Sequence, residues 1–334
     1  MEKSRKQIAY IAIITGALIL FGLIILSITL GNADISIHEI IQSFVKFEPS
    51  NTRHILIRDL RLPRVITACV VGIALAVSGA IMQGLTRNPL ADSGLMGLSA
   101  GARFATAMAF AFMGNLSYSA MVGITFLGTT LGAGMVYGIS YLVPGGNKPM
   151  KLVLAGAAVS TFLTAVSQGI GLIMNMSQGI TFWNIGSVTG ATWGQLKIAL
   201  PVVCIATFIA IIISKHLSII NMGEEIALGL GINTGLLKAV GIFTVVILTG
   251  ISVALAGLIS FVGLLIPHFC RHIVGPDYRL IIPTSIVAGA ILVVLADIGG
   301  KTLNAPGELP ISALIAIIGV PSFIYIARRG KGAF

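Results

Sequence analysis

The feature of this sequence that most limits its fold is a succession of apolar runs, each long enough to cross a lipid bilayer. A helix rises about 1.5 Å per residue, so about 20 apolar residues cross the roughly 30 Å hydrocarbon layer. The runs lie near residues 8–30, 62–84, 93–113, 117–142, 150–174, 193–214, 234–256, 258–274, 279–298 and 309–327. Because backbone polar groups in lipid must bond within the chain, each run is predicted to be helical. We therefore predict an all-α, polytopic membrane protein with about ten transmembrane helices, forming a single domain over residues 1–334.

Composition agrees with a multi-pass protein of the cell membrane. Of the 334 residues 56% are hydrophobic and only 10% are charged, which is too little polar surface to coat a soluble globule. The net charge of +10 does not indicate nucleic-acid binding, because the basic residues stand between the apolar runs and form no stripe with aromatic residues. The first run exceeds the roughly 7–15 residues of a signal-peptide core, so we predict an uncleaved first span. The run near residue 267 is interrupted by Pro267 and is expected to be a short or broken helix.

The distribution of Lys and Arg predicts that both termini are cytoplasmic. With that orientation the inner side carries Lys3, Arg5, Lys6, Arg87, Lys148, Lys151, Lys215, Lys238, Arg271, Arg279, Arg328, Arg329 and Lys331. The outer side carries Lys46, Arg53, Arg58, Arg61, Arg64, Lys197 and Lys301. The excess on the inner side agrees with the positive-inside rule. The outer basic residues between Lys46 and Arg64 violate the rule locally and call for a separate explanation.

Two hydrophilic segments between spans are long. The extracytoplasmic segment, residues 31–61, has apolar residues from Ile35 to Val45 at a spacing that predicts an amphipathic helix on the membrane surface. The cytoplasmic segment, residues 215–238, contains Gly223-Glu224-Glu225-Ile226-Ala227-Leu228-Gly229-Leu230-Gly231. Glycines at its ends and two acidic residues at its start predict a short helix exposed to the cytosol.

No residue pattern in the chain indicates catalysis, a metal or a cofactor. Gly300-Lys301-Thr302 resembles the end of a P-loop, but Leu295 stands where the first glycine is required and a membrane span precedes it. His268 and His272 are spaced four residues apart, yet Pro267 and the like charge of Arg271 make a metal site the weaker interpretation. We therefore expect a protein that is not an enzyme.

Two other features allow two interpretations each. Arg103 lies inside the third run, where a charge is costly unless it pairs or faces water, so it either lines a polar pathway or snorkels to the interface. Asn88-Pro89-Leu90 predicts a tight turn at the inner ends of spans two and three. That turn is either a plain connection or part of the gate at the inner mouth of a pathway.

A set of motifs distributed over nearly the whole chain resembles one family. The segments are Arg61-Leu62-Pro63-Arg64, Ser78-Gly79-Ala80-Ile81-Met82-Gln83, Asn88-Pro89-Leu90-Ala91, the Gly223–Gly231 segment, Phe261-Val262-Gly263-Leu264-Leu265-Ile266-Pro267-His268, Ala296-Asp297-Ile298, Gly307-Glu308-Leu309-Pro310-Ile311 and Gly319-Val320-Pro321. They resemble the type II ABC importer permeases for ferric siderophores, haem and cobalamin. Each motif alone is weak, and their common order makes the set specific.

The resemblance implies a defined assembly. It implies ten helices per subunit with spans two to five and seven to ten related as inverted repeats. It also implies a second permease subunit, identical or related, two separate cytosolic ATPase subunits, an extracytoplasmic solute-binding protein and surrounding membrane lipids. In this family the Gly223–Gly231 segment corresponds to the coupling helix, and we expect Gly223, Glu224, Ala227, Leu228 and Gly231 to contact the ATPase. Arg61, Arg64 and Lys301 occupy places where basic residues meet acidic residues of the binding protein.

A ferric siderophore is the substrate that the resemblance favours, with haem and cobalamin as alternatives. An ion-coupled secondary transporter is a more distant alternative, which would use intramembrane carboxylates such as Asp297 or Glu308. An intramembrane enzyme is disfavoured because no catalytic set is present in the sequence.

Overall fold

The computed structural model describes residues 2–31, 33, 35–92, 94, 97–114, 116–142, 149–176 and 185–329. In chain order its helices are α1 (Glu2–Thr29), α2 (Ile37–Val45), α3 (Thr52–Ile55), a π-helical segment (Leu56–Arg61), α4 (Leu62–Thr86), α5 (Leu98–Met113), α6 (Tyr118–Leu142), α7 (Pro149–Ile173), α8 (Trp193–Met222), α9 (Glu224–Gly229), α10 (Thr234–Ala256), α11 (Val262–Val274), α12 (Tyr278–Thr302) and α13 (Ile311–Arg329). Within these ranges no strand is present, and Ile185 and Leu258 form one isolated β-bridge. The all-α fold class is thus confirmed.

Each predicted run corresponds to a helix in the described part of the chain. By length and composition, 7 helices can cross a membrane, and α5, α11 and the stretch Ile311–Ile324 of α13 are apolar but shorter. The total of ten spans therefore stays a prediction. The short eighth run is confirmed as α11, a helix of 13 residues that contains Pro267. Lys148 and Lys331, which entered the charge distribution, lie outside the described residues.

Helix α4 lies at the centre of the bundle. The most apolar window of the helical run Thr52–Thr86 is 89% buried inside the protein, and α8, α10, α11 and α12 all pack against α4. Glycines allow this packing. A Cβ on Gly72 would lie 2.3 Å from the carbonyl oxygen of Gly289, and a Cβ on Gly79 would lie 1.9 Å from that of Gly263. Small residues at these crossings let the backbones of two helices touch, as is common in membrane bundles.

Among the helices from α4 to α7 the second, α5, is the shortest, and among those from α10 to α13 the second, α11, is the shortest. The residues that precede the two short helices also share a backbone conformation. Gly97 before α5 has φ 77° and ψ −11°, and Phe261 before α11 has φ 70° and ψ −18°. The shared conformation is not visible in the sequence, because glycine occupies one position and phenylalanine the other. The inverted repeat that the resemblance implies stays a prediction.

The predicted outer segment contains the expected amphipathic helix. Ser36 caps α2 and exchanges hydrogen bonds with Glu39, which also pairs with Arg53. Hydrogen bonds from the Ser36 backbone and from Arg53 lower the pKa of Glu39 to about 2. Ile40 is buried, while Ile37 is 60% exposed. The predicted start of span two agrees with the start of α4 at Leu62, and the chain is already helical before it, from Thr52.

The glycine contacts predict a sharp difference between two Gly→Ala substitutions. Gly79→Ala should lower the thermal unfolding midpoint in detergent, because overpacking against the Gly263 backbone costs about 1–3 kcal/mol. Gly134→Ala on α6 is the matched control, since nothing lies within 4 Å of the added Cβ. Equal midpoints for Gly79→Ala and the unmodified protein would contradict the packing described for α4.

Candidate functional site

The end of α1, the start of α4 and the end of α12 meet at one end of the bundle, where a cluster of charged side chains joins them. Arg64, in the first turn of α4, donates from Nε to Oδ1 of Asp297 on α12 at 2.9 Å. Its two terminal nitrogens bind both carboxylate oxygens of Glu308, at 2.8 Å and 2.9 Å. Glu308 lies between α12 and α13 and also accepts a hydrogen bond from Thr189 at 2.9 Å. One guanidinium thus connects α4, α12 and the loop that follows α12.

Two further cations complete this cluster, which we call the outer ion cluster (Arg61, Arg64, Asp297, Lys301 and Glu308). Lys301 lies one turn after Asp297 on α12, 2.8 Å from its Oδ2, and donates to the Ser27 hydroxyl of α1 at 2.9 Å. Arg61 donates to the carbonyl oxygens at the end of α1, those of Ile28 and Thr29, and to that of Ala33. The three basic side chains therefore tie α1, α4 and α12 together.

Burial divides the cluster into an inner and an outer part. The Asp297 side chain is 0% exposed and that of Arg64 is 13% exposed, whereas that of Glu308 is 40% exposed. Hydrogen bonding by Arg64 lowers the pKa of the Glu308 carboxyl, so this group is ionised at neutral pH. Removing one member of a buried pair costs about 3–5 kcal/mol, while exposed pairs contribute about 0–1 kcal/mol. The Asp297 part is therefore structural, and the Glu308 part is the weaker one.

The structure brings Arg61, Arg64 and Lys301 together, as their predicted common location requires. It also shows that all three are engaged by the chain itself, which the sequence did not indicate. Asp297, Glu308 and Thr189 are the partners that sequence reasoning did not assign to this site. The spacing of Asp297 and Lys301, four residues apart in one helix, was the available signal for one of these pairs.

The segment predicted to be cytoplasmic forms α9 at the opposite end of the bundle, between α8 and α10. Glu224 pairs with Lys238 of α10 at 2.5 Å, and this hydrogen bond lowers the pKa of the Glu224 carboxyl. Gly231 follows α9 with φ +77°, a conformation that L side chains rarely adopt. The segment is thus fixed at both ends, by the ion pair and by the glycine turn.

The apolar residues of this segment face two directions. Ala227 is 0% exposed and packs against the bundle, so its predicted contact with a partner would need the segment to move. Leu228 is 57% exposed, and so are its neighbours Ile226 and Leu230, at 48% and 66%. Sequence reasoning did not assign Ile226 or Leu230 to the site. The outward apolar surface of the segment consists of these three side chains.

The inner turn predicted at Asn88-Pro89-Leu90 is present. The Asn88 side chain accepts a hydrogen bond from the Leu90 backbone at 2.9 Å, and Arg87 before it has φ 51°. This is the local bond by which asparagine stabilises turns. The turn leads to Asp92, which is buried beside Gly263 of α11. The turn therefore packs against the start of the short helix in the second half of the chain.

Arg103 lies on α5 and is partly buried, and among the described residues its Nε has no hydrogen-bond partner. The outer ion cluster and α9 do not include it. His268 and His272 face each other on α11, with 3.0 Å between their Nε2 atoms, and form a hydrogen bond. In the part of the chain that the structure describes, no three His, Cys, Asp or Glu side chains group closely enough to hold a metal ion.

A second polar contact near the inner end was not predicted. Gln83 of α4 is fully buried and donates to the carbonyl oxygens of Gly263 and Leu264 on α11. Arg271 donates to Gln83 at 3.2 Å and to the Tyr278 hydroxyl at 2.9 Å. These bonds hold α4, α11 and α12 together below the glycine crossing.

The fold and its two ends define a multi-pass α-helical membrane protein with a charged outer end and an exposed apolar segment at the other end. The model of the FecCD transport family matches residues 18–329. The chain belongs to this family, and it is a permease-type protein of the cell membrane.

Individual relatives agree with this family membership. The chain is 45% identical over 328 residues to the iron(3+)-hydroxamate import system permease protein FhuB of Bacillus subtilis, covering 98% of this chain and 85% of that protein. It is 35% identical over 283 residues to the hemin transport system permease protein HmuU of Yersinia pestis, covering 82% and 83%. A solved structure described as an inward-facing conformation of a metal-chelate type ABC transporter superposes with a TM-score of 0.83 at 28% identity, covering 95% of this chain and 98% of the other.

The outer ion cluster predicts a difference between two carboxylates on the same side. Asp297→Asn should lower the free energy of unfolding by about 3–5 kcal/mol, because Lys301 would then be buried without its counter-ion. Glu48→Gln is the control, since Glu48 is exposed and its nearest cation, Lys46, lies 3.8 Å away. Thermal unfolding of the detergent-purified proteins measures both. A midpoint for Asp297→Asn equal to that of Glu48→Gln would show that the cluster does not stabilise the bundle.

Proposed function

We propose that this chain is the permease subunit of an ATP-driven ABC importer that moves a ferric siderophore into the cytoplasm. The match of the FecCD model to residues 18–329 is the observation that carries the proposal. In this mechanism the chain does no covalent chemistry. ATP binding and hydrolysis on separate cytosolic subunits change the packing of two permease subunits, identical or related, and the ligand moves inward between them.

The α9 segment is the proposed contact with the ATPase. Its exposed side chains Ile226, Leu228 and Leu230 form an apolar surface that can dock in a groove of a cytosolic partner. The Glu224–Lys238 pair holds the segment to α10, so force on α9 reaches a long helix packed against α4. Gly223, Glu224, Ala227 and Gly231 stay predicted coupling residues, and in this proposal they shape and anchor the segment.

With α9 in the cytosol, both termini are cytoplasmic. The start of α1 supports this arrangement, because the Arg5 side chain lies close to Gly275 at the end of α11 that also carries Arg271. The excess of basic residues at this end favours the same orientation. The outer ion cluster then faces the extracytoplasmic side.

The outer ion cluster is the proposed docking place of an extracytoplasmic solute-binding protein. Arg64 is the principal cation in this proposal, because it lies directly beneath the exposed Glu308. Docking by Arg61 and Lys301 stays a prediction, and both residues would have to give up hydrogen bonds to α1 in order to bind the partner.

Arg64→Gln should weaken binding of the solute-binding protein to the reconstituted transporter, and unchanged binding would reject the docking place.

The pathway is proposed to lie against α5 and the inner turn, with Arg103, Asn88 and Leu90 as lining or gate residues. Among the described residues the buried Nε of Arg103 has no hydrogen-bond partner, and a guanidinium in a span favours a polar surrounding, which a pathway between two permeases would provide. Uptake that survives both Arg103→Gln and Asn88→Ala at the normal rate would remove these residues from the pathway.

The alternatives are less well supported. Haem is the second candidate substrate because of the relative from Yersinia pestis, and cobalamin is the third. An ion-coupled secondary transporter would need an available carboxylate in the membrane. Asp297 is held by Arg64 and Lys301 and Glu308 is held by Arg64, so neither carboxylate is available.

The substrate proposal predicts selective uptake. Cells that carry the chain with its cognate ATPase and binding protein should accumulate radioactive iron supplied as a ferric hydroxamate and not iron supplied as hemin. Loss of the chain should abolish the hydroxamate uptake. Accumulation of iron from hemin alone would show that haem, and not a siderophore, is the substrate. Uptake that does not depend on ATP would reject the proposed ABC importer mechanism.

The coupling proposal predicts that a charge on α9 separates the subunits. Leu228→Asp should abolish copurification of the ATPase subunit, because it places a carboxylate in the apolar contact. Leu303→Asp is the matched control: the same substitution at a leucine 69% exposed on the outer end should leave copurification intact. If the ATPase still copurifies with Leu228→Asp, the contact lies elsewhere. If only Leu303→Asp loses the ATPase, the proposed orientation of the chain in the membrane is wrong.

A further inference from the structure

The two carboxylates that bind Arg64 differ in a way that bears on docking. Asp297 is fully buried in a helix and is also held by Lys301. Glu308 is 40% exposed and lies outside regular helix, in the residues that connect α12 to α13. Both terminal nitrogens of Arg64 donate to the two carboxylate oxygens of Glu308, and this two-bond geometry is the one in which an arginine binds a carboxylate most strongly.

The position of Glu308 is therefore the position that a carboxylate arriving from outside would take. Arg64 uses its Nε for Asp297 and both terminal nitrogens for Glu308, so a new carboxylate can gain a two-bond contact only by displacing Glu308. Displacing Asp297 would leave a charge buried, whereas Glu308 can turn into water. The exposed half of the cluster is the exchangeable half.

We propose that Glu308 is an intrachain placeholder for a carboxylate of the extracytoplasmic partner, and that exchange of the two carboxylates on Arg64 releases the loop between α12 and α13. The inference rests on the proposed docking function. Before docking, Glu308 holds the Arg64 side chain in position and balances its charge. On docking, the partner carboxylate replaces Glu308 on Arg64. The partner thus meets a preformed site, and its binding breaks one partly exposed ion pair.

The release has structural consequences because Glu308 connects two loops. Thr189 donates to the same Glu308 oxygen that Arg64 Nη2 binds. The segment of Thr189 is attached to α10 through the bond from the Ser187 backbone to the Ala256 carbonyl, at 2.9 Å. On the other side, Pro310 and Ile311 lead directly into α13. Exchange at Arg64 therefore removes the side-chain link between α4 and the residues that precede α13, while Asp297 keeps α12 in place.

Binding measurements on the whole transporter, with its ATPase subunits in lipid nanodiscs, test the exchange. The probe is the purified solute-binding protein that supports uptake through this permease. Glu308→Gln should raise the apparent affinity of the transporter for the solute-binding protein by about tenfold. The reason is that Arg64 is then available without first displacing the Glu308 carboxylate. Arg64→Gln should lower the affinity, and Glu48→Gln, which changes an exposed outer carboxylate away from the cluster, should leave it unchanged.

The outcomes separate the exchange from the docking function. Weaker binding by Arg64→Gln together with unchanged or weaker binding by Glu308→Gln would overturn the exchange and leave the docking place standing. Unchanged binding by Arg64→Gln would overturn the docking place itself, and the exchange with it. The gain from Glu308→Gln should also shrink at high salt, because the exposed ion pair is screened.

A distance measurement tests the loop release without relying on affinity. Spin labels at Gly190→Cys and Ala305→Cys, in a background without the 3 native cysteines, report the separation of the two loops that Glu308 joins. Gly190 has open space around it and Ala305 is exposed, so both sites accept a label. The separation should increase when the solute-binding protein binds, and Glu308→Gln should show the longer separation alone. A separation that bound partner leaves unchanged would overturn the release.

Discussion

Contact between helix backbones around α4 is the constraint on which the rest of this structure depends. In a bilayer, apolar side chains gain nothing by leaving lipid, so helices associate through close packing and polar bonds. Gly72 meets Gly289 and Gly79 meets Gly263, which brings α12 and α11 within backbone contact of α4. Because α4 is held on several sides, its two ends become fixed points. Arg64 at one end and Gln83 near the other then bind partners on α11 and α12.

The polar bonds at the two ends have different characters. At the outer end, Arg64 and Lys301 share a carboxylate that is fully buried, and this part of the cluster cannot open without exposing charge to the interior. Glu308 adds a weaker, partly exposed contact. At the opposite end, the Glu224–Lys238 ion pair, the turn at Gly231 and the buried side chain of Ala227 hold α9, while Ile226, Leu228 and Leu230 point outward. The helices around α4 therefore stay packed, while Glu308 and α9 are held by weaker, partly exposed contacts.

Much of the fold could be predicted because its cause is local. Each apolar run became a helix, Pro267 marked the short helix, and the residues from Ile35 to Val45 contained the amphipathic α2. Helix also extends beyond the apolar run before span two, where the chain is already helical from Thr52. The equivalence of Gly97 and Phe261 was not readable, because a backbone conformation is shared there by two unlike residues.

The sequence by itself determined that this is an all-helical membrane protein, where its helices lie, and to which family its motifs point. Hydropathy and short motifs depend on residues that are close together in the sequence, so they can be read without knowing which helices pack together. Only the tertiary structure decided that Arg64 binds Asp297 and Glu308, which lie 233 and 244 residues further along the chain. It also decided that Ala227 faces inward and Leu228 outward. Pairing and facing depend on which helices become neighbours, and in this bundle the glycine contacts around α4 settle that choice.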